Sequence, residues 1–441
     1  MADTLTISAE RTTEPVFKEY RHNALAFVLD SGFFHIAVTF IGATTVLPSF
    51  VAALSDSEVM VGLASGLISG GWLLPQLLVA SAVAHLPRKK PLVVRAAWLS
   101  RPILLLVAFL VWQFGGQYPG VALAATMLGV FVFFVFDAVV SIPWFELLAK
   151  CLPARRRGRV VGTSQVLGGL GGIGAGIVVR YILGESSPLA FPSNYAFLFA
   201  LGGLLFMVSA AFLMLIREPE SHDLGNAPPT PRQVLASMPG ILLRDREFRR
   251  LILIKLLQGF ASVANAFYVL HATRNLGLSL GDTGLFVSAQ VLGSVTAGLL
   301  MGVVQDHWGP WAHIRLIIVL TALPPLVALG AQPLLGILGQ QVLYVYISLF
   351  FFLGIATGSI GWPFFNWIME HAQGPERPVY IGMSNTLSAL VMLAPTLGGW
   401  VAKTFSYPAV FGLALGFILA SWCLSAGLRN PRVDSAPQPY C

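Results

Sequence analysis

Long apolar stretches alternate with short polar segments along the whole chain. The stretches fall at about 24–54, 58–86, 91–113, 119–149, 159–183, 194–216, 249–273, 281–305, 311–332, 336–369, 379–403 and 407–428. At 1.5 Å per residue each can cross a hydrocarbon core of roughly 30 Å as a helix. The pattern therefore predicts twelve membrane-crossing helices. The stretches at 119–149 and 336–369 are long enough to tilt or to extend past the membrane surface.

Composition agrees with this reading. Only 11% of the 441 residues are charged, against about 25% in a soluble domain. A mean hydropathy of +0.76 leaves no room for a large soluble domain. The net charge of +7 would suggest nucleic acid in a soluble protein, but the placement of the charges explains it. Lys and Arg gather in the N-terminal segment, 86–91, 150–159, 217–250, 306–315, 370–378 and the C-terminal tail. The opposite connections carry Arg180, Arg274 and Lys403 near helix ends. The positive-inside rule then puts both termini in the cytoplasm, with the plasma (inner) membrane as the expected location. The first 22 residues lack the short apolar core of a cleavable signal peptide. Cys151, Cys423 and Cys441 have no metal-ligand spacing and predict no disulfide framework.

The longest connection, 217–250, is Pro-rich and then amphipathic. Thr230-Pro231 supplies an N-cap and an N1 proline, which predicts a short interfacial helix. This divides the chain into a cytoplasmic segment 1–22, a six-helix bundle 23–217, a central loop 218–247, a second bundle 248–428 and a tail 429–441. The halves repeat. A shift of 220 positions, without gaps, carries Pro143 onto Pro363, Phe145 onto Phe365, Arg157 onto Arg377, Gly162 onto Gly382 and Ser164 onto Ser384. A repeated six-helix unit is a transporter signature.

Two motifs accompany this topology. "GVVQDHWGPW" places Gly302, Asp306 and Gly309 in the pattern G-x-x-x-D-[RK]-x-G-[RK]-[RK], with His307 at the basic position. "SAVAHLPRKK" is a degraded copy that keeps Lys89 and Lys90, with Ser81 and His85 in place of glycine and aspartate. With "P-x-x-x-R-G-x-x-x-G" at Pro153–Gly162, these features resemble the major facilitator superfamily over essentially the whole chain. The resemblance implies an all-α polytopic membrane protein, two six-helix bundles, and alternating access by rocking of the bundles around a midplane site. It also implies a cytoplasmic gate at Gly302, Asp306 and Gly309, with Arg157 and Arg377 in the matching loops. Asp306 would then face the N-terminus of the fifth helix when the gate is closed, where the macrodipole favours a carboxylate. The fifth helix has the glycines of the family's antiporter motif but no proline.

That helix also contains Gly169-x-Gly171-x-x-Gly174, the spacing of a dinucleotide fingerprint. A basic loop precedes it instead of a buried strand, so the nucleotide reading fails. Gly168, Gly172 and Gly176 share one helix face, which predicts close approach of another helix. There is no H-E-x-x-H, G-x-S-x-G or Walker A pattern. No enzyme, metal site, cofactor or nucleic-acid partner is expected.

A charge near the bilayer centre costs at least about 2.5–3.5 kcal/mol, so intramembrane charges are functional candidates. Asp30, Arg101 and Asp137 lie about 10–18 Å from the cytoplasmic ends of their helices, counting 1.5 Å per residue. They form either a self-neutralising ion pair or a proton-coupling site with Asp137 or Asp30 as carrier. Glu146, Lys255 and Arg180 sit nearer the surfaces and read as snorkelling residues. On the helices that line the cavity in this family stand Gln76, Gln165, Gln258, Asn265, Gln290, Trp362, Asn366, Trp367 and Asn385. Each could bind substrate or join helices. The expected function is proton-coupled export of an amphipathic small molecule by a monomer in the lipid bilayer. Uptake or facilitated passage of a sugar or other polar metabolite is the second reading, and a receptor or intramembrane enzyme a distant third.

Overall fold

The computed structural model describes residues 19–76, 78, 79, 83, 86–219, 231–372 and 376–434; His85 and Ser81 lie outside them. Helices and connecting turns make up the described residues, and no strand occurs among them. The helices fall on the predicted apolar stretches in order. Span 1 is Tyr20–Ile41 continued by Val46–Leu54, and span 2 contains Glu58–Leu73. Spans 3 to 6 are Lys90–Phe114, Pro119–Cys151, Ala154–Leu183 and Ser193–Leu215. The amphipathic helix Pro231–Arg244 follows; Thr230, its expected N-cap, lies outside the described residues. Span 7 is Arg246–Phe260 and Tyr268–Arg274 with a 3-10 turn, Ala261–Ala264, between them. Thr283–Leu338 is broken at Gly309, whose φ of 79° suits glycine alone; this separates span 8 (283–308) from span 9 (310–338). Span 10 is Val342–Ser359 and Gly361–His371, span 11 Arg377–Ser388 and Ala394–Thr404, and span 12 Tyr407–Ser425.

The repeat seen in the sequence is also a repeat of element boundaries. Leu54 and Arg274 end the outer pieces of spans 1 and 7, and 54 plus 220 is 274. Cys151 and His371 end spans 4 and 10 at the same offset. Even a helix cap recurs. Arg157 Nε donates to the Leu152 carbonyl at 3.0 Å, and Arg377 Nε to the Ala372 carbonyl at 3.4 Å.

Within the first half, span 1 packs on spans 5 and 6, and span 3 on spans 4 and 6. Within the second, span 10 packs on the helix of spans 8 and 9, and span 7 on span 12. The halves meet through span 5 against span 8 and span 2 against span 11.

Candidate functional site

One end of the molecule carries the Lys- and Arg-rich connections, and the two ends are packed differently. At the far end a single apolar cluster runs through both halves, from Phe50 and Phe199 to Phe267 and Phe411. At the basic end the core divides. One cluster around Phe27 and Leu147 belongs to the first half, and another around Phe248 and Trp367 to the second.

Glycines make the far-end contact possible. A Cβ on Gly176 would lie 2.6 Å from the Gly284 carbonyl oxygen of span 8, and one on Gly399 would overlap the Glu58 carbonyl of span 2. Polar bonds reinforce it. Thr44 Oγ donates to Gln290 Oε1 at 2.7 Å, and Ser288 Oγ to the Ile173 carbonyl at 3.1 Å. Glu58 Oε1 accepts from Arg274 at 2.5 Å and from the Tyr407 hydroxyl at 2.6 Å, linking span 2 to spans 7 and 12. At the basic end, a Cβ on Gly158, Gly162 or Gly302 would meet nothing within 4 Å. The conformation is closed at the far end and parted at the basic end along spans 5 and 8.

The buried charges sit inside the first half. Arg101 of span 3 bonds Asp137 of span 4 at 2.9 Å, and neither is more than 6% exposed. Three rings from three other helix faces surround the guanidinium: Phe34, Phe206 and Phe133, with centroids 4.7, 5.1 and 5.5 Å from Cζ. Such rings stabilise a desolvated cation. Asp30 of span 1 is held differently. Its two oxygens accept from the Ser209 hydroxyl of span 6 at 2.6 Å and from the Trp144 indole of span 4 at 2.8 Å. Both donors are neutral, and the charge of Arg101 also reaches this carboxylate. The three candidates thus form one electrostatic group, and the charge of a protonated His35 of span 1 also reaches Asp137.

The sequence profile of the Major Facilitator Superfamily matches residues 99–392 and 251–439. The chain belongs to the major facilitator superfamily. The transporter is 24% identical over 383 residues to an uncharacterized protein of Mycobacterium tuberculosis (strain ATCC 25618 / H37Rv), covering 84% of this chain and 72% of that one. It is 25% identical over 186 residues to the uncharacterized MFS-type transporter YfkF of Bacillus subtilis (strain 168), covering 41% and 44%. Its fold is similar to a mutant form of the nucleoside transporter NupG (TM-score 0.66, 14% identity, 92% of this chain and 98% of that one). It is also similar to a bacterial homologue of the iron transporter ferroportin in its inward-facing state (0.66, 13%, 94% and 99%). The same holds for a D-xylose-proton symporter (0.62, 16%, 91% and 97%). The protein is a secondary transporter working by alternating access, and not an enzyme.

The remaining candidates scatter within the transporter. Gln290 joins the halves, whereas Gln258 is buried and bonds Ser421 of span 12 within its own half. Trp367 is buried, stacks on His371 and bonds the Arg429 carbonyl at 3.1 Å. Asn265, Asn366 and Asn385 are half-buried, Gln76 is buried, and Gln165 and Trp362 are exposed. Lys255 is half-buried with its ammonium 2.8 Å from Ser384 Oγ. Glu146 lies at the basic end, 3.0 Å from Lys89.

The gate candidates stay within their own halves in this conformation. Arg157 and Arg377 cap the ends of spans 4 and 10. The Asp306 carbonyl accepts from Arg432 at 3.1 Å, and Arg432 pairs with Glu370 at 2.9 Å. Gly302 stands in open space.

Some contacts of the candidate residues carry no signal in the sequence. Ser209 and Trp144 are 179 and 114 positions from Asp30, and Glu58 follows a loop. Glu218 likewise carries no signal in the sequence. It accepts from the backbone N–H groups of Lys89 and Lys90 and from the Lys150 ammonium, tying the start of span 3 to the ends of spans 4 and 6. Burial pushes the Glu218 carboxyl up, but these bonds and the Lys150 charge hold it below the usual carboxylate range. An apolar crevice lined by Ile173, Leu292, Tyr344 and Phe351 lies between spans 5, 8 and 10, and its lining holds no carboxylate, amine or imidazole.

Proposed function

We propose that the transporter exports an amphipathic compound in exchange for protons, with Asp30 as the proton carrier, its basic end in the cytoplasm and the plasma membrane as its site. The observation that carries this reading is the contrast between the two buried acids. Protonating Asp137 would leave the Arg101 guanidinium without its counter-ion deep in the bundle, which is strongly unfavourable. Asp30 accepts from a hydroxyl and an indole. A hydroxyl can turn from donor to acceptor, so Asp30 can take up a proton without breaking an ion pair. Ser209, Trp144 and Arg101 come from spans 6, 4 and 3, so the protonation state of Asp30 bears on the packing of the whole first half. The apolar crevice between span 5 of one half and spans 8 and 10 of the other, with no charged side chain in its lining, supports an amphipathic substrate.

A compound that thermally stabilises the purified protein would serve as the substrate in proteoliposomes. Asp30→Asn should abolish its accumulation driven by a pH gradient and leave counterflow exchange in place. Unchanged gradient-driven accumulation by that variant would assign coupling to another group.

A further inference from the structure

The shift of 220 positions also carries His35 of span 1 onto Lys255 of span 7, Thr39 onto Gly259, and Gln165 of span 5 onto Asn385 of span 11. Parallel halves of such a transporter are related by an axis along the membrane normal. Equivalent residues therefore lie at one depth on opposite sides of that axis.

Packing places these positions beside the seam between the halves. A Cβ on Gly172 would touch both Thr39 and Val291 of span 8, so this side of span 1 points towards the second half. Gly259 packs on Val391 of span 11, whose neighbour Met392 packs on Gly70 of span 2 in the first half. His35 stands one turn before Thr39, and Lys255 one turn before Gly259.

Both positions present a basic nitrogen with capacity for a further partner. The Lys255 ammonium donates to Ser384 Oγ, and no ion pair engages it among the described residues. An intramembrane ammonium held by one hydroxyl is costly and marks a functional position. The exposed His35 ring has Nδ1 2.6 Å from the Ser31 carbonyl oxygen. A carbonyl only accepts, so Nδ1 carries a hydrogen, and Nε2 has no hydrogen-bond partner among the described residues; as an imidazolium the ring donates from Nε2 to an anion, and its charge also acts on Asp137 of span 4. Beside these bases stand two register-equivalent amides, the exposed Gln165 and the half-buried Asn385.

We propose that His35 and Lys255 form an anion subsite between the two halves, and that the transported compound is an organic acid whose anionic group occupies it. Gln165 and Asn385 donate hydrogen bonds to that group or to a polar atom next to it. The proposal deepens the reading of an amphipathic substrate and rests on that compound passing between the halves. It does not require Asp30 to carry the proton.

The test uses two thiol reagents of similar size and opposite charge, a sulfonate and a trimethylammonium methanethiosulfonate, on full-length protein with its own cysteines replaced by serine. Gln165→Cys supplies the reporter thiol, and the rates are divided by those for 2-mercaptoethanol. The sulfonate should be favoured, and Lys255→Gln should lower that preference about tenfold, the size of effect that focused charge in a cleft produces. Lys255→Arg should restore it, and His35→Gln should lower it by a smaller factor. A preference for the trimethylammonium reagent, a preference unmoved by Lys255→Gln, or no reaction at the reporter in folded protein would each overturn the subsite. The assay applies no gradient, so failure of proton coupling leaves its outcome unaffected.

Discussion

Position 101 is arginine in the first half, and its register equivalent, 321, is threonine. Position 137 is aspartate, and its equivalent, 357, is threonine. The two threonines satisfy themselves. Thr321 donates to the Ile317 carbonyl of its own helix at 2.6 Å, and Thr357 to the Leu353 carbonyl at 2.8 Å. A hydroxyl can bond back to its own helix in this way, whereas a buried charge needs a partner from another helix. Asp30 corresponds to Arg250, which pairs with Glu247 at 3.0 Å near the start of span 7. The halves thus share breaks, caps and boundaries, while the deep acid–base group belongs to the first half. Duplication conserves the scaffold, and specialised chemistry needs only one copy of it.

The largest expected effect tests that asymmetry. Arg101→Gln leaves Asp137 buried without its partner and should cost about 3–5 kcal/mol, read as a lower melting temperature or loss of folded yield. Thr321→Val at the equivalent position should cost about 1 kcal/mol or less. Equal losses would break the comparison of the halves.

A second contrast compares the two ends of span 5. Gly176→Leu overfills the contact with Gly284 and Ser288 and should cost about 1–3 kcal/mol, with a smaller population closed at the far end. Gly162→Leu points into open space and should stay within about 0.5 kcal/mol.

Smaller shifts are expected at the gates. Glu58→Gln weakens the bond to Arg274 and Tyr407 that closes the far end, by about 1 kcal/mol for a partly exposed pair. Labelling of a cysteine at Asn265 from the basic end should then fall. Asp306→Asn should raise the same labelling if Asp306 helps to close the basic end. Unchanged labelling in a folded variant would remove either residue from the gating account.

A further effect is one of pH. Asp245 caps Arg246–Phe260 through the Phe248 N–H at 2.9 Å and accepts from His371 at 2.9 Å and Tyr380 at 3.0 Å. Burial acts to raise its carboxyl, but the His371 and Phe248 bonds, the His371 charge and the Tyr380 bond bring it down to about 2. A carboxyl lowered in the folded state contributes stability above its unfolded value of about 4, lost as pH falls towards 2. Asp245→Asn should remove this contribution at neutral pH and flatten the acid limb of a stability profile. An unchanged acid limb would contradict the assignment.

Much of this architecture was legible in the sequence because the bilayer enforces it. Uncharged runs and basic connections marked the spans, and the gap-free repeat marked the halves. Depth alone singled out Asp30, Arg101 and Asp137, and glycine spacing marked the face of span 5. Helix rotation was less legible. Lipid and protein interior are equally apolar, so nothing in the sequence turned Gln258 towards Ser421 or Trp367 towards Arg429 and away from the space between the halves. Breaks within apolar runs were also silent. Gly42, with φ of 51°, interrupts span 1 inside an unbroken apolar stretch. His35 is inconspicuous in the sequence because an imidazole is not a fixed charge.

The central claim is that Asp30, and not Asp137, takes up the proton. Infrared difference spectra of the purified protein between acidic and alkaline buffer would test this most directly through the carbonyl stretch of a protonated carboxylic acid. The account predicts an acid-form band in the unmodified protein, its loss in Asp30→Asn, and its retention in folded Asp137→Asn. A band that persists in Asp30→Asn and disappears in Asp137→Asn would contradict it.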